Sequence, residues 1–322
     1  MKVGISIAGG VQSLAQIQPG ALRAAGLASL FVSCYEDEVR WQADDIASFL
    51  RRARREGLEC YVVPWGYGRF LDPDPAIESL YVHTHPDAMQ LDSRGRRCRN
   101  ACPNNPRYLE WFASSMRTLA WLTECEGFLW DEPSFHVSRG AWACRCVHCK
   151  RLYWAKTGNE MSRSLNDEVL AFRRDSVAMF LLAAGAAIEA VDRRLLSLVM
   201  PTPSLGASEV QTGCEDWRVL LRSSAVDGLS VWVPWQTRGT QMEGTLVGLI
   251  EGAKKKGQAE GKRILLWVVG SPHPRDRLLD TIMCASLAGC EHLVISDYDA
   301  LFGSSAFPGI AEPLRRMLAR VA

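Results

Sequence analysis

Eight short apolar runs rich in β-branched residues recur along the chain: Val3–Ile7, Ser29–Ser33, Glu59–Trp65, Gly127–Trp130, Leu196–Met200, Gly228–Val233, Arg263–Val269 and His292–Ser296. Each has the length of a strand that is covered on both faces. Longer stretches with apolar residues three and four apart separate them: Asp37–Glu56, Pro106–Leu122, Asn166–Val191, Thr240–Lys256, Arg275–Leu287 and Pro308–Val321. In the first of these, Asp37 and Glu38 stand in the opening turn and arginines crowd the closing turns, as the helix dipole favours. Asn166 is placed to cap the longest helix. Strands alternating with helices predict an α/β fold, a single (β/α)8 TIM barrel. The competing doubly wound sheet lacks its fingerprint, because no Gly-x-Gly-x-x-Gly follows the first strand. No repeat or linker divides the chain, so residues 1–322 are expected to form one barrel domain. Its longest irregular stretch, about 66–105, follows the third strand, and a second loop, about 133–150, follows the fourth.

A barrel places its chemistry on the loops after the strands. Those positions are polar and aromatic here. Cys34, Tyr35 and Glu36 follow strand two; Trp65, Tyr67 and Arg69 close strand three; Asp131, Glu132 and His136 close strand four. Trp235 and Gln236 follow strand six, Ser271, His273 and Arg275 follow strand seven, and Asp297, Tyr298 and Asp299 follow strand eight. Trp267 lies within strand seven. Aromatic rings stack on the C–H faces of sugars, while acids hydrogen-bond their hydroxyls. Trp65, Tyr67, Arg69, His136, Trp235, Trp267 and Asp299 are therefore the expected substrate contacts. The alternative for each tryptophan is to close the barrel top as an apolar plug.

Cysteine is the strongest local signal. Cys144-x-Cys146-x-x-Cys149 leads into a helical pattern and offers three thiolates on a tight loop, as a tetrahedral zinc requires. Cys98, Cys102 and His148 are the candidates for a fourth ligand. Four thiolates would make the site structural, with no open coordination position. His83-Thr84-His85 reads as solvent-facing or hydrogen-bonding, since no further ligand adjoins it.

Composition narrows the setting. Of 322 residues, 48% are hydrophobic and 23% charged, and the net charge of +1 does not favour a nucleic-acid or membrane-surface partner. No apolar run is long enough to span a bilayer, and Met1-Lys2-Val3-Gly4-Ile5 reads as a first strand rather than a signal peptide. A cytoplasmic location is expected. There, eleven cysteines suit metal ligation and core packing better than disulfides. The partner expected is a carbohydrate or another polar small molecule, and a homo-oligomer is left open.

Cys144, Cys146 and Cys149 after the fourth strand, with Cys102-Pro103-Asn104-Asn105-Pro106-Arg107-Tyr108 upstream, resemble glycoside hydrolase family 42, the β-galactosidase family whose barrel carries a four-cysteine zinc site. The resemblance covers roughly residues 98–158. It implies Cys102 as the fourth ligand and Glu132 as the general acid/base, since the family's fourth strand ends in Asp-Asn-Glu. The Asp131-Glu132-Pro133 form is closer to uncharacterised glycosidase-like barrels.

One departure bears on mechanism. The family's nucleophile glutamate closes strand seven, where this chain reads Gly270-Ser271-Pro272-His273. A retaining glycosidase needs two carboxyls about 5–5.5 Å apart and an inverting one about 6.5–9.5 Å. Asp297 is the first choice for the second acid, followed by Asp299, Asp131 and Glu36; Asp131 and Glu132 should alternate across the strand. Two functions are therefore expected from different classes. One is an O-glycosidic hydrolase. The other is a divergent, zinc-stabilised barrel that binds carbohydrate or another polar ligand without cleaving it.

Overall fold

The computed structural model describes residues 1–8, 10–71, 78–138, 141–201, 212–214, 220, 222–233, 251–252, 255, 257, 260–269, 275–296, 298, 302 and 311–321. Among them, eight parallel strands close a barrel: strand one (Lys2–Ile7), two (Ser29–Tyr35), three (Glu59–Trp65), four (Gly127–Asp131), five (Leu196–Met200), six (Gly228–Val233), seven (Arg263–Val269) and eight (His292–Ser296). Each strand pairs with its neighbours in sequence, and strand eight returns to strand one with Ile5 beside Ile295. The fold is the expected TIM barrel.

Alternation along the strands divides the core into an outer and an inner part. Ile5, Leu30, Val32, Val62, Phe128, Trp130 and Val199 face the helices. Phe31, Tyr61, Val63, Leu129, Leu198, Met200, Leu265, Trp267 and Val294 fill the lumen. Phe31 stacks on Tyr61 with centroids 4.6 Å apart and meets Trp267 edge-on at 5.4 Å. The middle of the lumen is a packed plug, and at its lower end His292 bonds Ser29 Oγ at 2.7 Å. Burial pushes His292 down to about 4, so this lower seal is neutral at ordinary pH.

Two helical patterns differ from expectation. Asp37–Glu56 is two helices, Glu36–Trp41 and Ala43–Arg55, broken at Gln42, whose φ of −138° and ψ of 22° leave the helical region. The break separates two environments. The second helix buries Ile46, Phe49, Leu50 and Ala53, whereas the first buries nothing and runs over the barrel mouth. Between strands one and two lie two short helices, Gly10–Gln16 and Pro19–Ala24, too short to show a clear period in sequence. Pro106–Thr123, Asp167–Glu189 and Arg275–Leu287 fall where periodicity places them, and Asn166 Oδ1 accepts the Val169 N–H at 3.0 Å as the cap. Most of Thr240–Lys256 lies outside the described residues, and the last helix is described from Ala311 to Val321.

Strand closure demands small residues where strands converge. A Cβ on Gly127 would sit 2.5 Å from the Leu196 carbonyl oxygen, a backbone atom that cannot swing aside. Gly127→Ala is expected to destabilise the fold by about 1–3 kcal/mol, read as a lower urea midpoint at unchanged m-value.

Candidate functional site

The site begins at the end of strand four. Leu129 points into the lumen, and Asp131, two residues on, pairs in register with Met200 on the same side. Trp130 faces outward, 6.0 Å from Phe112, and its Nε1 donates to Ser197 Oγ at 2.9 Å. Strict alternation would send Glu132 outward after it. Instead Glu132 has φ of 39°, a left-handed turn that takes the chain out of the strand while its N–H still donates to the Met200 carbonyl at 2.9 Å. Left-handed backbone in a non-glycine residue costs about 1–2 kcal/mol and persists only where its surroundings impose it.

Those surroundings leave the carboxyl half-buried, with no hydrogen bond or ion pair among the described residues. Burial pushes Glu132 up to about 7, and no charge among the described residues contributes. Such a group holds a proton near neutrality.

The aromatic residues divide into two sets. Tyr35, the last residue of strand two, stacks on Trp65 at 5.6 Å with planes 14° apart. This pair lines a cleft of about 640 Å³ at the mouth, together with Gln12, Glu36 and Glu38. Tyr67 and Trp267 are placed differently. Tyr67 is fully buried against Trp111 and Phe112, and Trp267 belongs to the lumen plug. Glu36 accepts N–H groups from Tyr81 and, at 3.4 Å, from Gly68, so it ties two loops together. Glu38 does the same for Val11 and Tyr35, at 2.7 and 3.0 Å. Trp235, Asp297 and Asp299 lie outside the described residues. A second cleft, of about 620 Å³, opens at the opposite end of the barrel among Arg54, Glu59, Glu126 and Arg263. The strand-end rule assigns chemistry to the mouth, not to this end.

The loop leaving Glu132 is fastened on both sides. Ser134 N–H donates to the Phe70 carbonyl at 2.8 Å and Phe135 N–H to the Thr212 carbonyl at 2.9 Å. His136 N–H donates to Gln90 Oε1 at 2.9 Å, and desolvation, aided by the Arg69 charge, holds its imidazole below the ordinary range. Ser93 and Arg145 N–H groups then join this loop to the hairpin of Met89–Leu91 and Arg97–Ala101, each at 2.7 Å.

Four buried cysteines clamp the same two loops. The Sγ atoms of Cys102, Cys144, Cys146 and Cys149 all lie within 4.8 Å of one another and can hold a metal ion. Cys102 is 3.4 Å from Cys149 and 3.5 Å from Cys146, close to the roughly 3.8 Å that tetrahedral thiolates on zinc require. The donors around the sulfurs also fit a metal. The Leu91 and Cys146 N–H groups reach Cys144 Sγ at 3.4 and 3.3 Å, and Asn104 Nδ2 reaches Cys149 Sγ at 3.3 Å. Thiol donors pull Cys146 down, while burial pushes Cys102 and Cys149 up. Cys98 and His148 stay outside the cluster. Asn104 is a supporting residue that sequence reasoning missed, although it stands inside the Cys102-Pro103-Asn104 motif.

No protein-family model and no curated protein matches the chain. Among solved structures, the catalytic domain of β-amylase from Paenibacillus polymyxa is similar over the whole chain and 98% of its own length, with a TM-score of 0.66 and 12% identity. A β-galactosidase from Bacillus circulans sp. alkalophilus is similar with a TM-score of 0.71 and 11% identity, and one from the psychrophilic Marinomonas ef1 with 0.63 and 12%. The chain spans 56% and 59% of those two β-galactosidases. The likeness shows the TIM-barrel fold.

If the four cysteines share a metal, replacing one should empty the site. Cys149→Ala is expected to lower bound metal, measured by mass spectrometry, from about one equivalent to none. It should also lower Tm, since metal-binding free energy adds to folding free energy.

Proposed function

We propose that this protein is a glycoside hydrolase in which Glu132 is the general acid/base. The observation that carries the reading is the Glu132 carboxyl itself: half-buried at the end of strand four, without a protein partner among the described residues, and shifted by burial to about 7. A general acid needs a pKa near the working pH and an open hydrogen-bonding position for the leaving-group oxygen. The Tyr35–Trp65 pair supports a saccharide ligand, because stacked rings at the mouth offer flat apolar faces beside polar groups. The cysteine motif and the glycosidase-like fold support kinship with family 42. We assign zinc to the four cysteines as a structural ion, its role being to hold residues 133–150 against 88–105.

The second carboxylate is proposed to be Asp297, with Asp299 and Asp131 behind it. The general acid would protonate the glycosidic oxygen as the C–O bond breaks. The second acid would then attack C1 directly or deprotonate a water that does, according to the separation of the two carboxyls. A second reading is favoured by two facts: strand seven supplies no acid, and no described carboxylate contributes to the Glu132 shift. In that reading the barrel binds a sugar without cleaving it.

Turnover of aryl glycosides separates the two. Glu132→Gln is expected to lower kcat by at least about 100-fold with sugar binding retained; unchanged turnover in that variant would remove Glu132 from the mechanism. The acid must carry its proton, so kcat/KM should be full below pH 7 and fall as pH rises through about 7. Stability supplies an independent check. The folded pKa lies above the unfolded value, so the folded state loses stability as pH rises from the ordinary carboxylate range through about 7. Glu132→Gln should match the wild-type Tm near pH 4.5 and exceed it at pH 8.

A further inference from the structure

Beside the Tyr35–Trp65 cleft lies a further cleft of about 760 Å³, a size suited to a small ligand. It runs between the short helix Glu36–Trp41 and the turn Tyr67–Arg69, and contains neither Glu132 nor Trp65. Two of its side chains have no structural account. Trp41 is 71% exposed on a helix that buries nothing. Arg40 stacks on one face of the indole, 4.7 Å from the centroid, which steadies the ring and leaves its other face to solvent.

Arg69 is the opposite case. It is only 9% exposed, yet its guanidinium makes no ion pair or hydrogen bond among the described residues, and its Nε is buried without an acceptor. A buried guanidinium nitrogen without an acceptor is costly. The residue is nonetheless held firmly: its φ is 51°, and Asn100 Nδ2 donates to its carbonyl. The acids that line the same cleft are engaged elsewhere. Glu78 pairs with Arg99 at 2.9 Å, Asp37 accepts the Glu38 N–H at 3.0 Å, and Glu36 accepts the N–H groups of Tyr81 and Gly68. Among the described residues, Arg69 is thus a firmly held cation without an anion.

We propose that this cleft is a second saccharide subsite that takes an anionic sugar unit, its pyranose face on Trp41 and its carboxylate on Arg69. The inference rests on the reading that the barrel mouth receives saccharides. A planar guanidinium matches a carboxylate in two parallel hydrogen bonds, and the exposed indole matches the C–H face of the ring.

The test is calorimetric titration of the full chain with methyl glucuronide, methyl glucoside and acetate. The uronide is expected to bind about tenfold more tightly than the glucoside, and acetate far more weakly than either. Trp41→Ala, at an exposed position, should weaken both sugars about tenfold with Tm unchanged. Arg69→Gln should erase the preference for the uronide, and Arg69→Lys should keep part of it. Glu132→Gln should leave all three titrations as they are, so loss of turnover and loss of this subsite read out separately. Equal affinity for charged and neutral sugars overturns the proposal, as does acetate binding as tightly as the uronide or undiminished binding in Trp41→Ala. Loss of uronide binding in Glu132→Gln would overturn it too, by moving the ligand to the Glu132 site.

Discussion

The constraint on which the rest of this structure depends is the filling of the barrel lumen. Eight parallel strands must bury both faces, and the inner face closes around Phe31, Tyr61, Leu129, Leu198, Leu265 and Trp267. Packed rings and aliphatic chains fill the middle of the barrel. Polar chemistry is therefore displaced to the rim, where each strand ends and the backbone turns outward. Asp131 and Glu132 sit at that transition, one still on the lumen side of the strand and the other turned out of it.

A rim made of loops is precise only if the loops are tied. Here the ties are local and dense. The loop after strand four is anchored to Phe70 and Thr212 by backbone hydrogen bonds, to Gln90 by a side-chain acceptor, and to Cys102 through the thiol cluster. Four cysteines drawn from two long loops do for this side of the mouth what packing does for the strands. The strained φ of Glu132 is intelligible in that light, since a loop held at several points can impose a conformation a free one would relax. The carboxyl is burdened with desolvation and relieved by no partner among the described residues. A fold optimised only for stability would not retain such a group.

Aromatic residues show why type alone does not assign a role. Trp65, Tyr67 and Trp267 look equivalent in sequence, each at or near a strand end. Trp65 pairs with Tyr35 at the mouth, Tyr67 turns back against the helix Pro106–Thr123, and Trp267 lies in the plug. Gly66 and Gly68, both left-handed with φ of 75° and 60°, turn the chain between Trp65 and Tyr67. A Cβ on Gly68 would lie 2.5 Å from the Tyr108 ring, so that turn depends on glycine.

Whatever local periodicity and close spacing encode can be read from the residues alone. All eight strands stand where β-branched runs place them, and the Asp167–Glu189 helix begins after the Asn166 cap. Cys144, Cys146 and Cys149 are legible as one ligand group because a short loop must bring them together. Features that depend on distant segments meeting were settled by the fold. It brought Cys102, which the family resemblance had implied, to the triplet and left Cys98 and His148 outside, broke one amphipathic pattern at Gln42, and buried Glu132 with no charged neighbour among the described residues. The physical reason is range. Hydrophobic period and ligand spacing act over a few residues, whereas desolvation and the choice among chemically alike side chains are set by whatever the fold packs against them.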